Sequence, residues 1–296
     1  MPAQPHIEAF FDETTFTVTY LVGDPATREA VVIDPVLDFD PASGRVTTTS
    51  ADRLLASAAA GGWTIGMVLE THAHADHLSS AKWIKAQTGA LIGIGEHIGA
   101  VQDVFRSMFA MTDLLPDAGD FDRLLADGDH IELGELEIEV IATPGHTAAD
   151  ISFRIGDAVF VGDTMFMPDY GTARTDFPGG DAATLYRSIR RLLAMPRETR
   201  LLMCHDYKAP GRDHYAWETT VGEQRDHGIQ VADGIDEAQF VATRRARDAG
   251  LAPPRLLLPS IQVNVRAGRF PPAAANGQLY LLTPARIDPA VAKAVS

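Results

Sequence analysis

The stretch that decides the fold of this chain is Thr71-His72-Ala73-His74-Ala75-Asp76-His77. It places three imidazoles and one carboxylate within six positions, after an apolar run at residues 65–69 that predicts a buried strand. Residues 78–87 predict the helix that follows. Imidazole and carboxylate are good ligands for zinc, iron or manganese, and the alternating spacing aims His72 and His74 at one point. The loop therefore predicts a metal centre, whereas a polar loop without metal is the less favoured interpretation of so dense a motif.

The composition limits the classes of function. The chain has 296 residues and 46% hydrophobic content, enough for one large domain or two modest ones. A formal charge of -15 argues against a nucleic-acid partner, which needs a basic face, and against an anionic membrane surface. No apolar run is long enough for a transmembrane helix, and residues 1–12 do not have the pattern of a signal peptide. The single cysteine, Cys204, fits a reducing compartment, so a cytoplasmic protein is expected.

More ligand-type side chains follow the ends of other predicted strands. His146 stands in a tight Pro-Gly loop, Asp163 follows a predicted hairpin, and His205 follows a short apolar strand. Since the strands of one sheet system can bring their ends to a common edge, these side chains are expected to meet the histidine loop there. Strands interleaved with helices on this scale predict an α/β sandwich with the site at its rim.

The remaining elements are predicted from periodicity and from turn residues. Residues 43–50 predict a polar loop, and residues 256–265 predict a strand. Helices are predicted at residues 51–60, 181–195, 217–227 and 236–248. Asp34 fits equally well a group that supports the metal site and a turn residue before proline. We interpret Cys204 as a small buried hydrophobic residue rather than a redox group.

The full set of ligand-type residues resembles the metallo-β-lactamase superfamily over about residues 8–228. The set is His72, His74, Asp76 and His77, followed by His146, Asp163 and His205. The resemblance implies an α/β fold of the αββα sandwich type. It also implies a catalytic domain at residues 1–228, with a C-terminal extension at residues 229–296 packed on the same domain.

A finer resemblance is to the persulfide dioxygenases of this superfamily. The motifs that carry it are Thr143-Pro144-Gly145-His146-Thr147, Gly162-Asp163-Thr164, Arg174-Thr175-Asp176-Phe177-Pro178-Gly179-Gly180-Asp181, Cys204-His205-Asp206-Tyr207 and, beyond the core, Gln262-Val263-Asn264. The resemblance implies oxidation of a low-molecular-weight persulfide, with glutathione persulfide expected, by O2 to sulfite and the free thiol. A homodimer is expected on the same ground.

The same resemblance assigns roles to residues of this chain. One Fe(II) per chain is expected to be held by His72, His146 and Asp163, while His74, Asp76, His77 and His205 surround it without holding a second metal. Candidate catalytic residues are Arg174, Asp176 and Tyr207. Arg174 resembles a residue that binds a glutathione carboxylate, and Tyr207 resembles a tyrosine that hydrogen-bonds to the bound substrate. For Arg174, an ordinary surface ion pair is the alternative.

The residues themselves leave the metal open. The same seven side chains can hold two zinc ions around a bridging hydroxide, with Asp163 between the ions. That arrangement predicts a hydrolase of the glyoxalase II or lactonase type. A metal-dependent binding protein without catalysis is a further alternative, and the complete ligand set makes it the weaker one.

Overall fold

The computed structural model describes residues 4–285, 287 and 288, and it arranges them as two large sheets packed between two layers of helices. The predicted αββα sandwich is therefore confirmed. Parts of the predicted C-terminal extension, residue 286 and residues 289–296, lie outside the described residues, as do residues 1–3. The division of the chain at residue 228 stays a prediction.

The first sheet has the strand order β1-β2-β3-β6-β8-β9. Its strands are β1 (His6–Asp12), β2 (Thr17–Gly23), β3 (Glu29–Ile33), β6 (Thr64–Leu69), β8 (Leu91–Gly95) and β9 (Arg123–Leu125). Helices α1 (Thr49–Ala60), α2 (Ala81–Thr88) and α3 (Ile98–Phe109) cover its outer face. Leu21 and Val32 pack against these helices, whereas their neighbours Val22 and Val31 pack against the second sheet. Since successive side chains of a strand point to opposite faces, an apolar run buries both.

The second sheet has the order β10-β11-β12-β13-β14-β15. Its strands are β10 (His130–Leu133), β11 (Leu136–Ala142), β12 (Ile151–Ile155), β13 (Ala158–Phe160), β14 (Arg200–Leu202) and β15 (Glu218–Thr220). Helices α4 (Ala182–Leu193), α5 (Val221–His227) and α6 (Glu237–Asp248) pack on its outer face. Asp181 caps α4, because its carboxylate accepts a hydrogen bond from the Thr184 backbone N–H at 2.8 Å.

A small third sheet has the order β5-β4-β7, and its strand β7 directly follows the histidine-rich stretch at residues 71–77. It consists of β4 (Val36–Asp40), β5 (Arg45–Thr47) and β7 (Leu78–Ser79). Helix α7 (Leu257–Asn264) lies against β7. Of the helices in the described ranges, none is both long and apolar enough to cross a membrane.

Three element predictions are wrong in part, because strand pairing takes residues from a predicted helix or loop. Leu78 and Ser79 pair with β4, so the helix predicted from residue 78 begins only at Ala81. The predicted loop at residues 43–50 contains β5, which forms a hairpin with β4. The helix predicted at residues 217–227 begins with β15, an edge strand of the second sheet. Each error arises because a segment pairs with another strand, which local propensity alone does not predict.

The strand predicted at residues 256–265 is also wrong, because these residues form α7. Ser260, Gln262 and Asn264 are buried together with the apolar residues between them. A helix that is buried on several sides shows no 3.6-residue alternation of polar and apolar positions. The continuous apolar run therefore led to the prediction of a strand.

Candidate metal centre

The seven ligand-type side chains meet at the edge where strands of both large sheets end. The histidine loop, residues 70–77, follows β6, and Asp163 and His205 follow the neighbouring strands β13 and β14. The ring centroids of His72 and His74 are 4.0 Å apart, those of His74 and His77 are 4.2 Å apart, and those of His72 and His146 are 5.1 Å apart. The predicted convergence at a common edge is thus present in the structure.

Asp163 lies between two groups of side chains. Its Oδ2 atom is 3.6 Å from His146 Nε2 and 3.9 Å from His72 Nε2, and its Oδ1 atom is 3.3 Å from His205 Nε2. His205 Nε2 is also 3.3 Å from Asp76 Oδ2. We call His72, His146 and Asp163 the outer group, and we call His74, Asp76, His77 and His205 the inner group.

Backbone carbonyls orient three of the imidazoles through Nδ1. A carbonyl oxygen only accepts, so each of these Nδ1 atoms carries the proton and each Nε2 atom presents a lone pair. Metal-binding histidines are commonly held in this way. The pairs are His77 with the Leu78 carbonyl at 3.1 Å, His146 with the Arg174 carbonyl at 2.7 Å, and His205 with the Phe16 carbonyl at 3.2 Å.

A short relay through Thr71 sets the tautomer of His72. The Thr71 hydroxyl donates to Asp34 Oδ2 at 2.8 Å, and the Thr71 backbone N–H donates to Asp34 Oδ1 at 2.7 Å. With its proton committed to Asp34, the Thr71 oxygen accepts from His72 Nδ1 at 3.0 Å. His72 Nε2 therefore also presents a lone pair. Asp34 combines both of its predicted roles, since it stands in a turn with a φ of 49° and supports the site.

The donor atoms of the centre fit a bound cation. Besides the two ring nitrogens of His74, five buried atoms at the centre have no hydrogen-bond partner among the described residues: His72 Nε2, His77 Nε2, His205 Nε2, Asp76 Oδ2 and Asp163 Oδ1. Leaving such an atom unsatisfied costs about 1–3 kcal/mol, and an ion between the atoms removes that cost. The ligand atoms of the outer group all lie within 4.8 Å of one another.

His74 differs from the other histidines because two carboxylates lie behind it. Its Nε2 atom is 3.0 Å from Asp34 Oδ1 and 3.7 Å from Glu70 Oε2. Burial opposes the charged ring, but the two carboxylates outweigh burial and raise the pKa of His74 to about 10. Burial and the nearby Asp34 raise the pKa of Glu70 to about 8. By contrast, burial and the neighbouring histidines lower the pKa of His72 well below its usual value, which favours the neutral ring that a metal needs.

Gly162 lets the Asp163 loop approach the histidine loop. Its φ is +52°, and an added Cβ would lie 2.7 Å from the Thr71 side chain. Any larger residue would therefore push Asp163 away from His72 or displace Thr71 from Asp34.

A cavity of about 490 Å³ opens onto the centre. Asp76, His146 and Asp163 line its floor. Aromatic side chains form much of its wall: Phe16, Phe166, Tyr170, Phe177 and Tyr207. Phe166 and Tyr170 reach this wall from the loop that follows Asp163. Burial and two nearby aspartates raise the pKa of Tyr207 well above its usual value, so its hydroxyl keeps its proton.

The three candidate catalytic residues occupy different positions. Tyr207 lies in the cavity wall, with its ring stacked on His205 at a centroid distance of 5.7 Å. Arg174 also lines the cavity, but its guanidinium donates to both carboxylate oxygens of Asp176, at 2.6 Å and 2.7 Å, and to the Ala252 carbonyl at 2.7 Å. Arg174 thus forms an ion pair with Asp176 at the cavity lining. The contact of Arg174 with substrate stays a prediction, and the exposed Asp176 is a partner of Arg174.

Several residues at the site carry no motif that sequence reasoning could use. Phe16 reaches the cavity from the turn between β1 and β2, with a φ of 60°. Arg247 on α6 reaches it as well, with its guanidinium 5.0 Å from the centre of the Tyr170 ring. A lone aromatic residue in a turn and a charged residue on a helix resemble ordinary surface positions. Only the tertiary fold brings them to the metal centre.

Comparison with known proteins gives the following likenesses. Residues 13–205 match the family model described as "Metallo-beta-lactamase superfamily". The chain is 50% identical over 289 residues to a Burkholderia pseudomallei protein named "Probable metallo-hydrolase", covering 94% of this chain and 98% of that one. It is 28% identical over 271 residues to the mitochondrial persulfide dioxygenase ETHE1 of Homo sapiens, covering 90% and 91%. The solved structure of ETHE1 from Myxococcus xanthus is similar with a TM-score of 0.72 and 30% identity, covering 89% of this chain and 100% of that chain.

Proposed function

The chain belongs to the metallo-β-lactamase superfamily, and on that basis we propose that it is a persulfide dioxygenase with one Fe(II) per chain. The grouping of His72, His146 and Asp163 carries the proposal, because two imidazoles and one carboxylate are the donor set of non-haem Fe(II) oxygenases. Three protein ligands leave other positions of the ion open. The likeness to the ETHE1 structure supports this choice.

The proposed reaction is R-S-SH + O2 + H2O to R-SH and sulfurous acid, which ionises to sulfite. Both atoms of O2 join the terminal sulfur, and water cleaves the S–S bond so that the thiol leaves with a proton. The outer group would hold the Fe(II), which when bound would supply the redox chemistry that lets O2 react with sulfur. The chain itself positions the substrate and excludes water. The aromatic wall of the cavity shields the reacting sulfur from bulk water. The Tyr207 hydroxyl, which keeps its proton, donates a hydrogen bond to the persulfide.

The carrier of the persulfide is proposed to be an anionic thiol, with glutathione as the expected one. Arg174, Arg247 and Arg255 lie along the cavity lining. In a chain with a formal charge of -15, arginines at a cavity attract an anion locally. Arg174 would have to exchange at least part of its contact with Asp176 for a carboxylate of the carrier.

A dinuclear zinc hydrolase of the glyoxalase II or lactonase type is the second candidate. The observation in its favour is that Asp163 offers its second oxygen to His205, which is itself 3.3 Å from Asp76. A carboxylate placed in this way can bridge two ions. The relative that is 50% identical also has a name that refers to hydrolysis.

The two candidates are separated by metal analysis together with two assays. Protein made without added metal is analysed for iron and zinc, then tested for O2 uptake with glutathione persulfide and for anaerobic hydrolysis of a glutathione thioester. We expect about one iron per chain, O2 consumption with sulfite formation, and no thioester hydrolysis. Two zinc ions per chain with anaerobic hydrolysis and no O2 uptake would overturn the proposal.

A further inference from the structure

One side chain outside the superfamily match binds the backbone of the histidine loop at two points and that of the adjoining strand β7 at a third. Asn264, at the end of α7, donates from Nδ2 to the His74 carbonyl at 2.8 Å and to the His77 carbonyl at 2.7 Å. Its Oδ1 atom accepts from the Ser79 backbone N–H at 2.8 Å. Asn264 is 4% exposed, and the residues that it joins are 185 to 190 positions away in the chain.

These partners fix the orientation of the amide. Two carbonyls require the NH2 end and a backbone N–H requires the oxygen, so a flipped amide would lose all three hydrogen bonds. Residues 70–77 form neither helix nor strand, so their buried carbonyls depend on partners from elsewhere in the fold. By joining the carbonyls of residues 74 and 77, Asn264 fixes the bend in which Asp76 and His77 stand.

Helix α7 is itself a rigid support for this contact. The Gln102 amide donates to the Val265 carbonyl at 2.8 Å, and Arg266 forms two hydrogen bonds with the Asp113 carboxylate at 2.6 Å and 2.8 Å. Gly268 lies so close to the start of α2 that an added Cβ would be 2.9 Å from the Ser79 carbonyl oxygen. The position of Asn264 is therefore set by contacts with α2 and with the region around α3.

We infer that Asn264 is a positioning residue of the metal centre, which from the C-terminal part of the chain holds the histidine loop, and with it His72 and the inner group, in the geometry that binds metal. The inference rests on the presence of a metal centre and not on which reaction the metal supports. Groups that orient metal ligands commonly change metal affinity by about 10–100-fold when they are lost. A residue that only stabilised α7 would change unfolding without changing the affinity for metal.

Gln262 offers a matched control on the same helix. Its Nε2 atom donates to the carbonyls of Leu258 and Leu282, at 2.7 Å and 2.9 Å, and its Oε1 atom accepts from the Leu282 backbone N–H at 2.8 Å. It is 2% exposed. Gln262 thus has the same number of buried hydrogen bonds as Asn264, but its partners lie in α7 and in the C-terminal segment. Asn264→Asp and Gln262→Glu each replace an amide donor with a carboxylate oxygen of nearly the same shape.

The test is the affinity of the full chain for Co(II), a spectroscopic probe that does not depend on the native metal or reaction. Metal-free protein is titrated with Co(II) in competition with a chelator, and the visible absorption bands of the bound ion are recorded. Thermal unfolding is measured on the same samples. We expect both variants to unfold at lower temperature, but only Asn264→Asp to bind Co(II) at least about tenfold more weakly, with altered bands.

Two results would overturn the inference. One is Co(II) affinity of folded Asn264→Asp within about twofold of the wild type. The other is an equal loss of affinity in Gln262→Glu, which would mark a general effect of a weakened α7. If Asn264→Asp does not fold, Asn264→Ser, which removes the bridge without adding a charge, is judged by the same thresholds. The experiment does not measure persulfide turnover. A negative result for Asn264 therefore leaves the dioxygenase proposal untouched, and failure of that proposal leaves the role of Asn264 untouched.

Discussion

The outer and inner groups of the metal centre differ in their access to the cavity and in what supports them. In the outer group, His146 and Asp163 line the cavity floor. In the inner group, the three histidines are completely buried, and two carboxylates lie behind His74. Asp76 belongs to the inner group but also reaches the cavity. On the proposed one-iron account, the outer group exposes the ion to substrate, whereas the inner group holds the loop and its charge.

Removal of an outer ligand is the change with the largest expected effect. We predict that His72→Ala, His146→Ala and Asp163→Ala each lower O2 uptake with persulfide by more than about a thousandfold, because a two-ligand site binds iron poorly. Iron content and O2 consumption are measured together. His97→Ala is the control, since that side chain is 69% exposed and does not line the cavity. Retention of O2 uptake in all three ligand variants would show that the outer group is not the iron site.

Removal of an inner histidine separates the one-iron and two-metal accounts. We predict that His205→Ala keeps about one iron per chain and lowers kcat by about 10–100-fold, because on the one-iron account His205 is not a ligand and acts through its contact with Asp163. Metal content and kcat are the measured quantities. Loss of one of two bound metals together with all activity would support the dinuclear hydrolase instead.

Replacement of Tyr207 tests whether a side chain of the cavity wall takes part in the reaction. We predict that Tyr207→Phe lowers kcat on the order of tenfold, the effect of losing one hydrogen bond to the reacting substrate, with unchanged iron content. Tyr186→Phe is the matched control, because Tyr186 donates at 2.8 Å to the Ile235 carbonyl, outside the cavity. Equal kcat values for Tyr207→Phe and the wild type would show that the Tyr207 hydroxyl takes no part in the reaction.

The smallest effect concerns the remote support of the inner group. Hydrogen bonds from Arg266, together with the nearby Arg269, lower the pKa of Asp113 to about 2. A carboxyl whose pKa is lowered by folding stabilises the fold above its unfolded value, near 3.8, and loses that contribution as the pH falls towards 2. We therefore predict that Asp113→Asn unfolds at lower temperature than the wild type at neutral pH. The difference should shrink between about pH 4 and pH 2.

Thermal unfolding of both proteins across that range measures this difference. Asp103→Asn is a suitable control, because the Asp103 side chain is 78% exposed and its ion pair with Arg106 is long, at 3.9 Å. If the difference in unfolding temperature between Asp113→Asn and the wild type is independent of pH, the charge of the Asp113 carboxylate does not stabilise the contacts that hold α7.

The ligand positions could be predicted from the sequence because each of them is a local signal. The histidine loop is one continuous stretch after an apolar strand, and His146, Asp163 and His205 each follow a strand end. Apolar runs of the right length gave most of the strands of the four-layer fold. The metal and the reaction could not be predicted in the same way, because a one-iron site and a two-zinc site would use the same seven side chains.

The parts that could not be predicted depend on contacts between distant segments. The apolar run at residues 256–265 resembled a strand because α7 is buried on several sides. Asn264 was visible only as part of a family resemblance, and nothing local indicates that it reaches residues 74 to 79. Phe16 and Arg247 enter the cavity from a turn and from a helix that carry no motif. Such contacts follow from the tertiary fold.

The most direct test of the central claim is a titration of metal-free protein with Fe(II) under anaerobic conditions, followed by O2 uptake on glutathione persulfide at each ratio of iron to chain. The account predicts that the rate rises linearly and becomes constant at one Fe(II) per chain, and that Zn(II) gives no O2 uptake. A rate that becomes constant only at two metals per chain, or zinc-loaded protein that hydrolyses a glutathione thioester, would contradict it.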